Sequence, residues 1–145
     1  MIDILKENEK IEDLQCKGLK IIQNKKWFCF GMDAVLLTNY CDIKNNSKVV
    51  DLGTGTGIIP ILLSGKRNYT KAYGIEIQPE VAEMAKRSVE LNNLQDKIEI
   101  LNIDLKNTLE YLDTNSFDAV ISNPPYKLNN SGIINPEDKK AISRH

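Results

Sequence analysis

The apolar and polar positions along the chain predict alternating strands and helices in its middle part. Short runs rich in Val and Ile are separated by stretches that carry apolar residues at helical spacing. The predicted strands are residues 48–52, 72–76, 98–101 and 117–122, and the predicted helices are 33–40, 57–63, 79–92 and 105–112. Because such runs separated by helices are typical of parallel sheets, the pattern predicts an α/β fold with helices on both faces of a parallel sheet.

Different patterns precede and follow this alternation. Residues 14–30 mix short apolar and polar groups around the turn-like Gln23-Asn24-Lys25-Lys26, which predicts a hairpin within an N-terminal flap of residues 1–32. Asp33 then suits the N-cap of the short helix that follows. Towards the other end, Asn135-Pro136-Glu137-Asp138 combines the cap, the proline and the acids of a helix start.

Composition predicts one soluble globular domain. The chain has 145 residues, 41% of them apolar and 27% charged, and every long apolar run is soon broken by Lys, Asp or Gly. Its 3 cysteines are widely spaced and its single histidine is His145, which matches no zinc site and favours reduced thiols in a cytoplasm. The net charge of -1 neither favours nor excludes RNA, because phosphate binding needs only a local basic patch.

The segment Asp51-Leu52-Gly53-Thr54-Gly55-Thr56-Gly57 follows the first predicted strand and indicates a ligand-binding turn. Glycines at alternate positions permit a sharp turn and let backbone amides approach a ligand that a Cβ atom would exclude. A dinucleotide fingerprint would require glycine where Ile58 stands, and Asp51 disfavours a nearby phosphate. The segment therefore favours a cationic or hydroxylated ligand, such as S-adenosylmethionine. A strand-to-helix turn without a ligand is the alternative.

Two acids follow the second and third predicted strands. Glu76 can accept hydrogen bonds from both hydroxyls of a ribose, or it can act as a solvated cap for the helix that begins at Pro79, and these roles are compatible. Asp104 can accept a hydrogen bond from the adenine amino group of a cofactor, or it can cap the helix from Leu105. Glu76 is therefore the second predicted anchor for a cofactor, and the role of Asp104 stays open.

The segment Asn123-Pro124-Pro125-Tyr126 directly follows the fourth predicted strand. An exocyclic amine is a poor nucleophile because its lone pair is delocalised into the ring or carbonyl beside it. The Asn123 side-chain oxygen and the Pro124 carbonyl can each accept one N–H and hold the nitrogen towards a methyl group, while Tyr126 stacks on the planar group. The segment predicts methyl transfer to an amino nitrogen. A rigid Pro-Pro turn is the alternative.

These motifs resemble those of class I S-adenosylmethionine-dependent amino methyltransferases. Residues 49–60, 73–76 and 123–126 are similar to the first, second and fourth motifs of that class. Residues 19–23, 30–37, 135–136 and 141–145 further resemble the bacterial family that methylates the amino nitrogen of an adenine in the anticodon loop of a valine tRNA. The resemblance implies a Rossmann-like doubly wound parallel sheet, apparently truncated after its fourth strand, in a cofactor-binding domain of residues 33–145.

The resemblance also implies the site residues. S-adenosylmethionine would contact Phe30, Asp33, Asp51, Gly53, Thr54, Gly55, Gly57, Glu76, Ile77, Asp104 and Asn123, and catalysis would use Asn123, Pro124, Pro125 and Tyr126. The implied substrate is RNA, in particular tRNA, with contacts from Lys17, Lys20, Lys25, Lys26, the Trp27 and Phe28 region and the loop after Tyr126. A protein glutamine methyltransferase, a DNA adenine methyltransferase and an inactive cofactor-binding fragment are the alternatives.

Overall fold

The computed structural model describes residues 5–27, 32–108, 112 and 117–122. The strands are β1 (Glu9–Asp13), β2 (Lys20–Asn24), β3 (Lys48–Leu52), β4 (Lys71–Ile75), β5 (Ile98–Leu101) and β6 (Ala119–Ser122). The helices are α1 (Met32–Tyr40), α2 (Ile58–Lys66) and α3 (Pro79–Leu91), and a 3-10 turn covers Leu105–Asn107. Strands and helices therefore alternate from β3 onwards, as the sequence pattern predicts.

Strands β3 to β6 form one parallel sheet with the order β5-β4-β3-β6. The chain moves outwards from β3 through β4 to β5 and then returns to the other side of β3 as β6. The strand order thus reverses at the β3/β6 pair. In open parallel sheets, ligands bind outside the carboxyl ends of the strands at such a reversal, so the fold directs attention to the residues that follow β3, β4 and β6.

The core lies against one face of this sheet. Val49, Ala72 and Ile98 are paired across three strands, and all three are buried in one apolar cluster with residues of α1, α2 and α3. Fully burying one aliphatic side chain of this kind contributes about 1.5–3 kcal/mol, so the cluster holds the three helices firmly on the sheet. On the opposite face Val50 and Ile75 are 3% and 0% exposed, whereas Val120, on the edge strand β6, is 62% exposed. A second layer of helices on that face stays a prediction.

Strands β1 and β2 form a separate antiparallel hairpin that packs on α3. The Ile22 N–H donates to Ser88 Oγ at 2.9 Å, and Ile21 belongs to the same apolar cluster as the sheet. The hairpin therefore shares the core of the sheet. The division of the chain into a flap of residues 1–32 and a domain from residue 33 stays a prediction.

The predicted turn of this hairpin is wrong. Gln23 and Asn24 are the last residues of β2 and are buried, and the two strands are joined by residues 14–19. The Gln23 amide donates to Glu12 Oε1 at 2.6 Å, so a residue typical of turns is satisfied inside the strand pair. Asp33 is likewise not an N-cap, because α1 begins one residue earlier and includes it in the first turn.

The remaining predicted boundaries agree with the structure to within two residues, except that α2 ends at Lys66, three residues after the predicted end at 63. The region of the predicted helix 105–112 begins with the 3-10 turn Leu105–Asn107. Thr108 is helical and its carbonyl accepts the Leu112 N–H at 2.9 Å, while residues 109–111 lie outside the described ranges. The helix predicted from Asn135 also lies outside them. Among the described residues no helix has the length and apolar character that crossing a membrane requires.

Candidate cofactor-binding site

Three glycines with positive φ shape the chain between β3 and α2. The φ angles of Gly53, Gly55 and Gly57 are 72°, 59° and 85°, a region that glycine adopts at little cost. A Cβ atom added to Gly53 or Gly55 would meet no atom within 4 Å, whereas one added to Gly57 would lie 3.4 Å from Ala85 Cβ. The backbone at Gly53 and Gly55 therefore borders open space, as a turn that receives a ligand requires.

Asp51 lies inside β3 with only 2% of its surface exposed. The Thr54 hydroxyl donates to Asp51 Oδ2 at 2.7 Å. Burial raises the pKa of Asp51 to about 7, the Thr54 hydrogen bond opposes this rise, and the negative charge of Glu76 adds to it. A ligand that brings positive charge or hydrogen-bond donors would stabilise the ionised form of this carboxyl group.

Glu76 is the first residue after β4 and is 7% exposed. Its Oε1 accepts the Gly55 N–H at 2.9 Å, and its Oε2 accepts the Gln78 N–H at 3.1 Å. Burial raises the pKa of Glu76, and these two hydrogen bonds oppose the rise. The solvated cap considered from the sequence is excluded by this burial, although the contact with the start of α3 is present. Glu76 thereby joins the glycine turn to the end of β4.

Thr54 is held between β3 and β4 in a position that depends on Gly74. Thr54 is 4% exposed, and its N–H donates to the Ile75 carbonyl at 2.9 Å. A Cβ atom on Gly74 would lie 2.9 Å from both Thr54 Oγ1 and Thr54 Cγ2, so glycine is what allows Thr54 to approach the strand. The sequence motifs predict no separate role for Gly74, although a glycine inside a strand is a signal of close approach.

Asn102 is a second residue whose role the sequence motifs do not predict. Its side-chain amide donates to the carbonyls of Glu76 and Ile77 at 2.8 and 3.1 Å, which ties the loop after β5 to the loop after β4. Asp104 lies in the same loop and accepts the Lys106 N–H at 2.9 Å as the N-cap of the 3-10 turn. The capping role of Asp104 is therefore present, and its contact with adenine stays a prediction. Ile77 is 38% exposed beside this loop.

Helix α1 ends against the end of α2. The Lys66 ammonium, at the end of α2, donates to Thr38 Oγ1 at 2.9 Å and to Asn39 Oδ1 at 2.6 Å, near the end of α1. Asp33 is exposed in the first turn of α1, and its contact with a cofactor stays a prediction.

The pairing of β6 with β3 places the end of β6 beside the glycine turn. Ser122, the last residue of β6, is paired with Leu52, the residue before Gly53. The Asn-Pro-Pro-Tyr segment begins at the next residue of the sequence. Phe30 and the segment Asn123 to Tyr126 lie outside the described residues, so their predicted roles stay predictions.

The site as described is negatively charged. Within the described ranges, none of the ion pairs involves Asp51 or Glu76, although both are buried. The same ranges contain no group of three or more potential metal ligands. Two buried carboxyl groups with raised pKa values suit a cation or a donor of hydroxyl hydrogen bonds better than a pyrophosphate.

The sequence of the chain matches a known protein family. Residues 31–135 match the methyltransferase small domain family. The chain belongs to this family. The methyltransferase class predicted from the sequence is thereby confirmed, and the glycine turn, Asp51, Glu76 and Asp104 all lie in the matched region.

Among its relatives, this methyltransferase small domain protein is similar to enzymes named tRNA1(Val) (adenine(37)-N6)-methyltransferase. The one from Bacteroides thetaiotaomicron is 29% identical over 133 residues, which cover 90% of this chain and 54% of the relative. The one from Phocaeicola vulgatus is 30% identical over 115 residues, which cover 79% of this chain and 47% of the relative. The chain thus spans about half the length of the curated relatives it matches.

Solved structures show the same fold. M. capricolum TrmK in complex with S-adenosyl-homocysteine has a TM-score of 0.56 and 19% identity, and the match covers 66% of this chain and 41% of that chain. P. horikoshii TYW2 in complex with MeSAdo has a TM-score of 0.61 and 21% identity, and the match covers 79% of this chain and 42% of that chain. These likenesses confirm the Rossmann-like methyltransferase fold predicted from the sequence.

Proposed function

We propose that this chain carries the S-adenosylmethionine-binding part of a cytoplasmic methyltransferase that acts on the exocyclic amino group of adenine in tRNA. The observation that carries the proposal is the register of β6 on β3, which brings Ser122 next to the start of the glycine turn. The sequence continues from Ser122 directly into Asn-Pro-Pro-Tyr. The names of the relatives, tRNA adenine-N6 methyltransferases at 29% and 30% identity, support adenine in tRNA as the target.

The residues of the site fit S-adenosylmethionine. This cofactor carries an ammonium, a sulfonium and two ribose hydroxyls and has no phosphate, so it supplies the cations and donors that buried carboxylates need. Glu76, whose oxygens accept two backbone N–H groups, retains lone pairs for ribose hydroxyls, and Asp51 contributes negative charge close by. Gly53 and Gly55 leave room beside the backbone. When bound, S-adenosylmethionine supplies the methyl group.

The chain's own contribution to the reaction is to orient the adenine amine. The lone pair of this nitrogen is delocalised into the ring, so the amine is a poor nucleophile. A general base at neutral pH would do little to increase its nucleophilicity before attack. In the proposal, the Asn123 side-chain oxygen and the Pro124 carbonyl each accept one N–H and direct the lone pair towards the methyl group, and Tyr126 stacks on the base. Pro124 and Pro125 have no N–H donors, so this segment offers acceptors to an amine.

Asn123→Ala should abolish methyl transfer while leaving cofactor affinity within about threefold. Loss of one positioned hydrogen-bonding group of this kind costs about 10²–10³-fold in rate. The measurement pairs calorimetric titration with S-adenosylhomocysteine and transfer of radiolabelled methyl groups to unmodified tRNA. Nucleoside analysis of the product then tests whether the methyl group is on N6 of adenine.

The matched control is Asn45→Ala, which removes an exposed asparagine from the loop before β3 and should change neither quantity. Loss of cofactor binding in Asn123→Ala would make this residue structural. Transfer to DNA or to a protein glutamine in place of tRNA would favour one of the alternatives that share the Asn-Pro-Pro-Tyr segment. Binding of S-adenosylhomocysteine without transfer to any of these would identify a cofactor-binding fragment.

A further inference from the structure

We propose that tRNA docks on the turn that follows β2, through Lys25, Lys26 and Trp27. This turn, Asn24–Trp27, is called the β2 turn below. The inference rests on the proposed function and narrows it, because the sequence alone predicts RNA contacts for Lys17 and Lys20 as much as for Lys25 and Lys26. The structure separates these lysines into two groups at opposite ends of the hairpin.

The direction of β2 along α3 is the first step. Lys20, at the start of β2, exchanges two hydrogen bonds with the Asn92 side chain just after the end of α3: Asn92 Oδ1 accepts the Lys20 N–H at 2.9 Å, and Asn92 Nδ2 donates to the Lys20 carbonyl at 2.7 Å. Two residues later the Ile22 N–H donates to Ser88 Oγ. Strand β2 therefore runs from the end of α3 towards its beginning.

The beginning of α3 lies at the cofactor site. The helix starts at Pro79, directly after the segment in which Glu76 accepts the Gln78 N–H. At this end of the hairpin Glu9 is paired with Asn24, and the Glu9 carboxylate accepts two hydrogen bonds from Arg87 at 2.6 and 2.8 Å.

The ion pair between Lys6 and Glu83, at 3.2 Å, lies closer still to the start of α3. The Lys25 N–H donates to the Asn8 carbonyl at 2.8 Å, between Lys6 and Glu9 in the sequence. The β2 turn is thus held beside the first turns of α3. It therefore lies towards the edge of the sheet where Glu76 and the glycine turn are found.

Lys17 and Lys20 lie towards the opposite edge. A Cβ atom on Gly65, near the end of α2, would be 3.9 Å from Lys17 Cβ, and Lys20 contacts the residue after α3. Both helices start at the site edge and end away from it. The five residues of β2 span about 17 Å, so Lys20 and the β2 turn are separated by about that distance.

The β2 turn is locally fixed and presents its side chains outwards. The buried Asn24 accepts the Trp27 N–H on its carbonyl at 3.1 Å and the Lys26 N–H on its side-chain oxygen at 2.8 Å. Lys25 and Lys26 are exposed, and Trp27 is 38% exposed. A fixed backbone reduces the conformational entropy that the turn loses when it binds a partner.

The charges around the turn favour a polyanion. Of the neighbouring acids, Glu9 and Glu83 are paired with Arg87 and Lys6, and Glu7 and Glu80 are exposed to solvent, which screens their charge. Within the described residues neither Lys25 nor Lys26 forms an ion pair with a carboxylate, so both ammonium groups are available to phosphates. The indole of Trp27 adds a surface on which an unstacked base can lie, which is how single-stranded loops of RNA are commonly recognised.

The test compares two double variants of equal charge change in the full chain. Lys25→Ala with Lys26→Ala should weaken binding of unmodified tRNA about tenfold and lower the slope of log K against log salt by roughly 1.5, because two phosphate contacts are lost. Lys17→Ala with Lys20→Ala should change affinity by less than about twofold. Trp27→Ala should weaken binding roughly tenfold without changing the salt slope, because stacking releases no counterions.

Filter binding over a range of salt concentrations measures these quantities, and calorimetry with S-adenosylhomocysteine checks that every variant keeps the cofactor affinity of the parent. If the Lys17 and Lys20 pair weakens tRNA binding as much as the Lys25 and Lys26 pair, the inference is overturned while the proposed function stands. If the parent binds S-adenosylhomocysteine but no tRNA, the inference is overturned and the chain is a cofactor-binding fragment, whereas failure to bind S-adenosylhomocysteine would overturn the proposed function itself. Equal loss of cofactor binding and tRNA binding in the turn variants would assign the turn a structural role instead.

Discussion

Carboxylates in two regions of the molecule meet opposite electrostatic surroundings. At the hairpin, Arg87 binds Glu9 and Glu83, and its hydrogen bonds hold the pKa values of both acids below their usual range. At the site edge, Asp51 and Glu76 are more deeply buried as residues, yet burial raises their pKa values, and within the described residues neither has a cationic partner.

This difference indicates that the hairpin acids stabilise the fold, whereas the site acids serve ligand binding. An acid that is paired with a cation in the folded protein contributes to stability, whereas an acid buried without one costs stability until a ligand arrives. The hairpin acids hold β1 against α3. The site acids are buried without a cation among the described residues, and a cationic, hydroxyl-bearing cofactor would offset the free-energy cost of this burial. Removing charge should therefore destabilise the first region and stabilise the second.

Arg87→Ala should cause the largest change, a loss of about 3 kcal/mol in the free energy of unfolding. It leaves the Glu9 side chain, which is 3% exposed, without its guanidinium partner. Because pairing depresses the pKa of Glu9 below 4.5, its contribution is present above that pH and is lost as the pH falls through the depressed value. The deficit of the variant should therefore shrink in acid. Urea unfolding at pH 7 and at low pH measures both effects.

The double variant Arg87→Met with Glu9→Gln is the control for this prediction. It removes both charges and keeps apolar volume beside α3, so it should recover most of the lost stability. Cofactor affinity should follow that of the parent in both variants, because the pair does not touch the glycine turn. A deficit of less than about 0.5 kcal/mol in Arg87→Ala would mean that the pair behaves as an exposed salt bridge.

Asp51→Asn should change stability in the opposite direction, by about 2 kcal/mol at pH 8. The carboxyl group has its pKa raised from 3.8 to about 7, so between these values the folded protein keeps a proton that the unfolded chain releases. Stability therefore falls as the pH rises through this window, and asparagine removes the fall while still accepting the Thr54 hydroxyl. The two proteins should be equally stable near pH 4 and diverge towards pH 7.

Thermal unfolding from pH 4 to pH 8 follows this divergence, and Asp42→Asn, at an exposed aspartate before β3, is the matched control. The same Asp51→Asn protein should bind S-adenosylmethionine more weakly than the parent at pH 8, because it lacks the negative charge. Parallel stability curves for Asp51→Asn and the parent would show that the buried carboxyl group is stabilised by contacts other than the Thr54 hydrogen bond.

Much of the fold follows from local sequence signals, whereas the hairpin does not. The alternation of strands and helices from β3 to β6 can be predicted from apolar runs and helix-start signals, because these depend only on residues that are neighbours in the sequence. Strand β1, Glu9–Asp13, has a single apolar residue and would be a poor strand on propensity alone. Its pairing depends on Arg87 and on the hydrogen bond from Gln23 to Glu12, which join residues 11 to 78 positions apart. No local pattern carries such contacts.

The candidate site divides in the same way. Asp51, the glycines and Glu76 could be assigned to the carboxyl ends of the strands from the sequence, because each follows or ends a predicted strand, and their contact with a cofactor stays a prediction. The strand glycine Gly74 signals a close approach, but its partner Thr54 depends on the fold, as do the carbonyls that Asn102 reaches after β4. The glycine turn was predicted as a binding turn, but its attachment to Glu76 through the Gly55 N–H is a property of the folded chain.

Glu76→Gln should give the smallest change in stability and a clear change in binding. Glutamine keeps one acceptor for the Gly55 or Gln78 N–H and removes a buried charge, so the free energy of unfolding should change by less than about 1 kcal/mol. S-adenosylhomocysteine should bind roughly tenfold more weakly, because an ionised acceptor for the ribose hydroxyls is lost. Calorimetric titration and urea unfolding of the same preparation separate the two quantities.

Glu80→Gln, at an exposed acid in the first turn of α3, provides the control for charge removed from the same edge. If Glu76→Gln and Glu80→Gln both leave cofactor affinity unchanged, Glu76 only joins the glycine turn to α3 and the binding role passes to Asp51. If Glu76→Gln alone weakens binding while stability holds, the carboxylate acts on the ligand. Glu76, which has no cationic partner among the described residues, would then serve ligand binding, whereas Glu9, which is paired with Arg87, stabilises the fold.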